Sequence, residues 1–161
     1  MGRYEEYVRW MYRDNRPNRW ARWQNRLSAL VFGAGALPKR AAALEVRGRT
    51  SGRRISFPVA IADYDGERYL VSMLGENVNW VRNVRAANGQ AILRHGRSEA
   101  IRLVEVPADA RAPILRRYLE VAPGGRPHIA VDWRAPLEEF DEISPRIPVF
   151  RITPVAAAPA A

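Results

Sequence analysis

The sequence predicts an α+β domain in which five or six mainly antiparallel strands form a small barrel or curled sheet, with helices between and around them. Three observations carry that prediction. From residue 42 onward, short apolar runs of β character recur between turn residues such as Gly48, Gly52, Gly66 and Gly96. Two amphipathic stretches of helical period interrupt them, and no internal repeat is present. Of the 161 residues, 47% are hydrophobic and 27% charged, which suits one globular domain with a single substantial core.

Residues 1–41 read as a basic helical extension. A short helix over 4–12 places Tyr4, Tyr7, Val8 and Met11 on one side, and Asn15, Pro17 and Asn18 end it. Pro17 suits the first turn of a second helix, in which Trp20, Trp23, Leu27, Leu30 and Val31 recur at helical spacing. Arg19, Arg22 and Arg26 fall off that stripe, and Gly33, Gly35 and Pro38 close it. The stripe packs on the barrel or lies at an anionic membrane surface, with arginines meeting headgroups.

Residues 42–154 form the barrel domain. Runs at 43–46 and 55–62 flank a Gly/Ser/Arg turn, and Pro58 marks the second run as an edge strand or bulge. Asp63-Tyr64-Asp65-Gly66 is a hairpin-type turn leading to a strand at 69–73. A short helix over 79–87 carries Trp80, Val84 and Ala87 on one face. Strands at 91–94 and 99–106 pair through His95-Gly96-Arg97. A helix over 109–121 offers Ile114, Leu115, Tyr118 and Leu119 for burial. A Pro/Gly loop fills 122–127, a strand at 147–152 closes the domain, and 155–161 form a disordered tail.

The net charge of +9 is unevenly placed. Up to Arg54 there are 13 Lys and Arg against 4 Asp and Glu, and beyond it 13 against 13. The whole excess therefore lies in the N-terminal third, where it attracts an anionic partner. It ends in Arg47-Gly48-Arg49-Thr50-Ser51-Gly52-Arg53-Arg54, which combines two glycines, two hydroxyls and four guanidinium groups. Glycines allow close backbone approach, hydroxyls donate, and arginine forks match phosphate or carboxylate oxygens. These are the parts of an anion cradle; the plainer reading is an exposed basic hairpin.

Other chemistries lack their signatures. Cysteine is absent, which excludes disulfides, thiol catalysis and cysteine–metal sites and fits a reducing cytoplasm. His95 and His128 are the only histidines, so no metal site is expected. No Gly-x-Ser-x-Gly elbow or Walker lysine motif occurs. The run Glu138-Glu139…Asp141-Glu142 reads as a solvated helix face. Nucleic-acid motifs are missing, no apolar run approaches the roughly 20 residues of a membrane span, and no secretory signal is expected.

Four blocks, in order, resemble the deazaflavin-dependent nitroreductase family. Arg47 to Arg54 followed by Pro58 is similar to its strand–loop–strand, and Tyr69-Leu-Val-Ser-Met-Leu-Gly75 to its next strand. Trp80-Val-Arg-Asn83-Val-Arg-Ala-Ala-Asn88 is similar to its helix, and Arg146-Ile-Pro-Val-Phe150 to its closing strand. The resemblance implies a split β-barrel binding coenzyme F420, a 5-deazaflavin with a phosphodiester and an oligoglutamate tail, with FMN as the alternative cofactor. It implies that Arg49, Thr50 and Ser51, helped by Arg53 and Arg54, hold the phosphate and tail carboxylates. Phe57, Pro58 and Val59 would pass along the ring system, and Met73, Leu74 and Gly75 would face its polar edge. Trp80 and Asn83 would support the pocket. Ile55 stands where the family commonly has an arginine, and the family's tyrosine-rich substrate segment is not evident.

The implied activity is hydride transfer from reduced F420 to a small conjugated electrophile, a quinone or nitroaromatic. The cofactor carries such chemistry, so no catalytic residue is assigned; Ser72, Tyr118 and His128 are candidate proton donors. A homodimer and a cytoplasmic location, peripheral to the inner membrane face, complete the expectation. The alternatives are a non-enzymatic deazaflavin- or flavin-binding protein and a basic membrane- or nucleic-acid-binding module.

Overall fold

One seven-stranded antiparallel sheet organises the computed structural model, which describes residues 40–156. The strands are β1 (Ala41–Arg47), β2 (Arg54–Ala60), β3 (Ala62–Tyr64), β4 (Glu67–Val71), β5 (Gln90–His95), β6 (Arg97–Glu105) and β7 (Val149–Pro154). Their order across the sheet is β2-β1-β5-β6-β7-β4-β3. The helices are α1 (Asn79–Ala86), α2 (Ala112–Val121) and α3 (Leu137–Ile143), with short 3-10 turns among them. The expectations for the N-terminal helices and for nearly all of the tail fall outside the described residues.

The predicted strand at 55–62 becomes two elements. β2 pairs along its length with β1, Ala41 opposite Ala60 and Arg47 opposite Arg54, while β3 pairs with β4. Only Ile61 separates them, yet they occupy opposite ends of the sheet order. One kinked strand thus belongs to both edges, which curls the sheet into a split barrel. Pro58 sits on this edge, where its missing N–H leaves no ladder bond unmade.

Local chemistry sets the turns. Asp65 (φ 50°) and Gly66 (φ 77°) make the two-residue β3–β4 turn, the left-handed pair whose twist matches antiparallel strands. The strand expected to reach Met73 stops at Val71, because Ser72 to Gly75 form a turn. Gly75 closes it with φ 84°, its N–H donating to the Ser72 carbonyl at 2.9 Å. The helix expected from 109 starts as a 3-10 turn, and α2 begins beside Pro113, which is tolerated only in a first turn.

Two apolar clusters fill the interior. Inside the barrel, Leu44, Val46, Leu70 and Phe150 meet Val81 and Val84 of α1. On the outer side, Leu115 and Leu119 of α2 and Phe140 of α3 cover Tyr69 and Val149. Each fully buried Leu or Phe contributes about 1.5–3 kcal/mol, so these clusters dominate the stability. The carboxylates Glu138, Glu139, Asp141 and Glu142 of α3 are all exposed, as expected for a solvated face.

Candidate functional site

The loop between β1 and β2 is folded against itself and fastened to α1. Gly48 N–H donates to the Arg53 carbonyl at 2.9 Å, and Gly52 N–H donates to the Gly48 carbonyl at 2.8 Å. Gly48 is buried, and a Cβ there would lie 2.6 Å from Ser51 Oγ. Gly52 adopts φ 65°. Ser51 Oγ accepts from Arg53 N–H at 3.3 Å. The N–H groups of Thr50 and Ser51 join no backbone hydrogen bond among the described residues and stay available.

Asn83 of α1 is the fastening point. Only 3% exposed, its Oδ1 accepts from Arg49 N–H at 3.2 Å and from Arg49 Nη1 at 2.9 Å. Arg49 Nη1 and Nη2 also reach Asn79 Oδ1, both at 3.4 Å. The guanidinium is therefore held by neutral oxygens in the first turns of α1, where the helix field is positive as well. Two positive contributions at one spot, with no carboxylate on Arg49, favour an anion. Arg47, Arg53 and Arg54 are exposed around the loop, and the one carboxylate near Arg54, Glu45, lies 3.9 Å away.

The aromatic residues connect this loop to the barrel. Trp80 is 5.9 Å from Phe57 and 5.5 Å from Phe150 between ring centroids, in tilted packing. Phe57, Val59, Leu74 and Trp80 are partly buried against the barrel cluster. They form a half-open apolar strip between the cradle and the Met73–Leu74 turn.

Beyond that turn lies a cleft of about 450 Å³, within the roughly 300–1,000 Å³ common for small-molecule sites. Met73, Leu74 and Gly75 form one wall. His128, Ile129 and Ile143 stand in another, with Arg146 and Ile147 at the start of the closing segment. Gly75 is required here by its positive φ, and a Cβ would sit 3.4 Å from the Arg146 carbonyl.

A buried arginine holds the closing wall. Arg111, 7% exposed, donates through Nε to the Val106 carbonyl at 2.7 Å. Its Nη1 donates to the Ser144 and Ile147 carbonyls at 2.9 and 3.2 Å. Its Nη2 reaches Glu105 Oε1 at 3.3 Å. Burial lowers the Arg111 pKa, and the Glu105 charge opposes that shift. Glu105 also receives a two-pronged contact from Arg85, at 2.7 and 3.0 Å, and Arg85 reaches Glu76 at 3.0 Å. These contacts, Glu105 foremost, raise the Arg85 pKa.

Of the expected residues, Arg49, Trp80 and Asn83 meet at α1 together with Phe57, while Met73, Leu74 and Gly75 meet at the cleft. Arg53 and Arg54 stay in solvent. The Gly75 N–H is used inside its own turn, whereas the Met73 and Leu74 N–H groups join no backbone hydrogen bond among the described residues. Among the proton-donor candidates, Ser72 is buried and donates to the Gly75 carbonyl at 2.6 Å. The Tyr118 hydroxyl lies 3.7 Å from Met73 Sδ, and His128 borders the cleft. Sequence reasoning missed Asn79, Arg111 and the place of Arg146 at the cleft. The only available signal for Arg146 was a cation set between Pro145 and Pro148 at the start of the last strand. No group of three or more His, Asp or Glu among the described residues is placed to hold a metal. His95 instead sits at the end of β5, with Nδ1 2.6 Å from the Ala41 carbonyl.

No family model and no curated protein matches this sequence. Solved structures share its fold. A structure described as a domain-swapped dimer superposes with TM-score 0.50 at 20% identity, covering 83% of this chain and 96% of that one. A Listeria innocua protein provisionally assigned as a pyridoxamine 5'-phosphate oxidase gives TM-score 0.50 at 10% identity, covering 81% and 94%. An F420-H2-dependent reductase, FDR-A, gives TM-score 0.49 at 19% identity, covering 72% and 96%. For the two at TM-score 0.50 the likeness at these identities is one of fold, and the curled sheet described above is a split barrel. Among the described residues, no helix is long and apolar enough to cross a membrane.

Proposed function

We propose that this protein is an oxidoreductase that binds a deazaflavin coenzyme of the F420 type and reduces a small conjugated electrophile, a quinone or nitroaromatic. The observation that supports this reading best is the grip of buried Asn83 on both the backbone and the guanidinium of Arg49. A loose basic hairpin has no need of such a grip, whereas a cradle must be ordered before its anion arrives.

The residues fit the coenzyme. Guanidinium groups of Arg47, Arg49, Arg53 and Arg54, the hydroxyl of Thr50 and the N–H groups of Thr50 and Ser51 suit a phosphodiester and tail carboxylates. The strip formed by Phe57, Val59 and Trp80 suits a flat ring, and the Met73 and Leu74 N–H groups suit its carbonyl edge. When bound and reduced, the coenzyme supplies the hydride, and the acceptor takes up a proton as well. The chain itself orients the two partners and shields them from water; His128, at the cleft, is a candidate proton donor for the acceptor. A homodimer, and contact of the basic N-terminal segment with an anionic membrane, belong to the same reading.

The test is a titration with oxidised and reduced F420, followed by deazaflavin fluorescence, with FMN as control. Saturable F420 binding, weakened by Arg49→Ala and by Ser51→Ala, is expected. Binding of FMN alone would keep the cradle and change the coenzyme. Binding of neither would sink the oxidoreductase reading in favour of a basic surface module.

A further inference from the structure

Arg146 has a fixed backbone and an uncommitted side chain. On either side of it, the carbonyls of Ser144 and Ile147 are both held by one nitrogen of buried Arg111, at 2.9 and 3.2 Å. The Arg146 carbonyl packs against Gly75 across the cleft entrance, where a Cβ would be in contact at 3.4 Å. The side chain is exposed and forms no ion pair with any described residue. The acids of α3 that precede it, including Glu142 one turn back, do not close on it. By contrast Arg111 and Arg85 share Glu105, and Arg126 donates to the Leu119 carbonyl at 2.8 Å.

The cleft mixes polar surface, to which His128 and Arg146 belong, with the apolar side chains of Met73, Leu74, Ile129, Ile143 and Ile147. A cation on a fixed stretch of backbone, beside a cleft of about 450 Å³ with five apolar side chains in its lining, favours an apolar body carrying one anionic group, since an arginine fork binds a carboxylate in bidentate fashion. We propose that Arg146 is a specificity-determining residue and that the cleft takes a conjugated acceptor bearing a carboxylate, which pairs with the Arg146 guanidinium while the ring lies against Ile129 and Ile147. Calling the ligand an acceptor rests on the oxidoreductase reading above; the charge selectivity of the cleft does not.

Two probes of equal shape test it: 2-naphthoate and its neutral isostere naphthalene-2-carboxamide. Each is titrated by calorimetry into the full-length protein without any cofactor. A charge-assisted pair of this kind corresponds to a preference of about tenfold for the carboxylate. Arg146→Gln should bring that preference to about one while leaving amide affinity and melting temperature in place, and Arg146→Lys should restore part of it. Amide NMR shifts on naphthoate binding should fall on Gly75 and Ile129. Equal affinity of the two probes for the wild-type protein, an unchanged preference in Arg146→Gln, or shifts confined to residues 49–54 would each overturn the proposal. Deazaflavin binding is read separately. If F420 fails to bind while naphthoate selectivity holds, the cofactor reading falls and the anion-selective cleft stands. If F420 binds and the naphthoate preference is absent, the reverse follows.

Discussion

Replacing Asn83 by alanine removes the one buried side chain that ties the cradle to α1. Its Oδ1 accepts two hydrogen bonds, from the Arg49 N–H at 3.2 Å and from Arg49 Nη1 at 2.9 Å. A neutral bond of this type contributes about 0.5–1.5 kcal/mol, and a charge-assisted one about 1.5–3 kcal/mol when buried. The Arg49 guanidinium faces solvent and regains water, so its bond counts at or below the low end. A loss of about 2 kcal/mol in unfolding free energy follows, visible as a lower urea midpoint by tryptophan fluorescence. Binding suffers independently. Each loop residue that must be reordered costs about 1–2 kcal/mol, and about 1.4 kcal/mol is tenfold in affinity. F420 should therefore bind about tenfold more weakly to Asn83→Ala. Asn83→Asp keeps the acceptor and adds a negative charge, so it should keep the stability and still lose anion affinity. A wild-type urea midpoint together with unchanged F420 affinity in Asn83→Ala would refute the idea that this side chain preorganises the cradle.

Two further outcomes follow from the charged groups. Arg111→Met strips partners from the Val106, Ser144 and Ile147 carbonyls and from Glu105; a loss of about 3–5 kcal/mol in urea unfolding is expected, and below about 1 kcal/mol the wall is held by something else. Arg111→Lys should recover little of it, because an ammonium cannot span acceptors on three sides. The Arg40 contact foremost, with lesser help from the backbone and Arg117, holds the Asp63 carboxyl below its usual pKa against the opposing effect of desolvation. Its stabilisation is therefore complete above the ordinary carboxylate range and is lost as pH falls through the lower folded-state value. The melting-temperature gap between wild type and Asp63→Asn should be constant from about pH 7 to 5 and close as pH falls below the ordinary carboxylate value of about 4. A gap that widens on acidification would show the sign to be wrong.

The strand runs, the Asp65-Gly66 turn, the edge position of Pro58 and the helical stretches at α1 and α2 were legible because each rests on local chemistry. Alternating apolar residues, left-handed glycines and a missing N–H act within a few residues of themselves. The Gly/Ser/Arg loop was legible for the same reason, as composition packed into eight positions. What it does not state is that Asn83, more than thirty residues later, would grip it, since that contact depends on α1 lying across β1.

Reach along the chain marks the boundary. The sequence by itself determined the element types, the placement of all excess charge before Ile55 and the exclusion of cysteine and histidine–metal chemistry. Tertiary structure alone decided that the run at 55–62 would kink at Ile61 and serve both ends of the sheet. It also decided that Met73 to Gly75 would face His128 and Arg146 across a cleft, and that Arg111 would be buried between the nearby Val106 carbonyl and those of Ser144 and Ile147, more than thirty residues on. A residue's φ preference and polarity travel with it. Its partners are set by how a closed sheet brings distant segments together, and neither spacing nor composition encodes that.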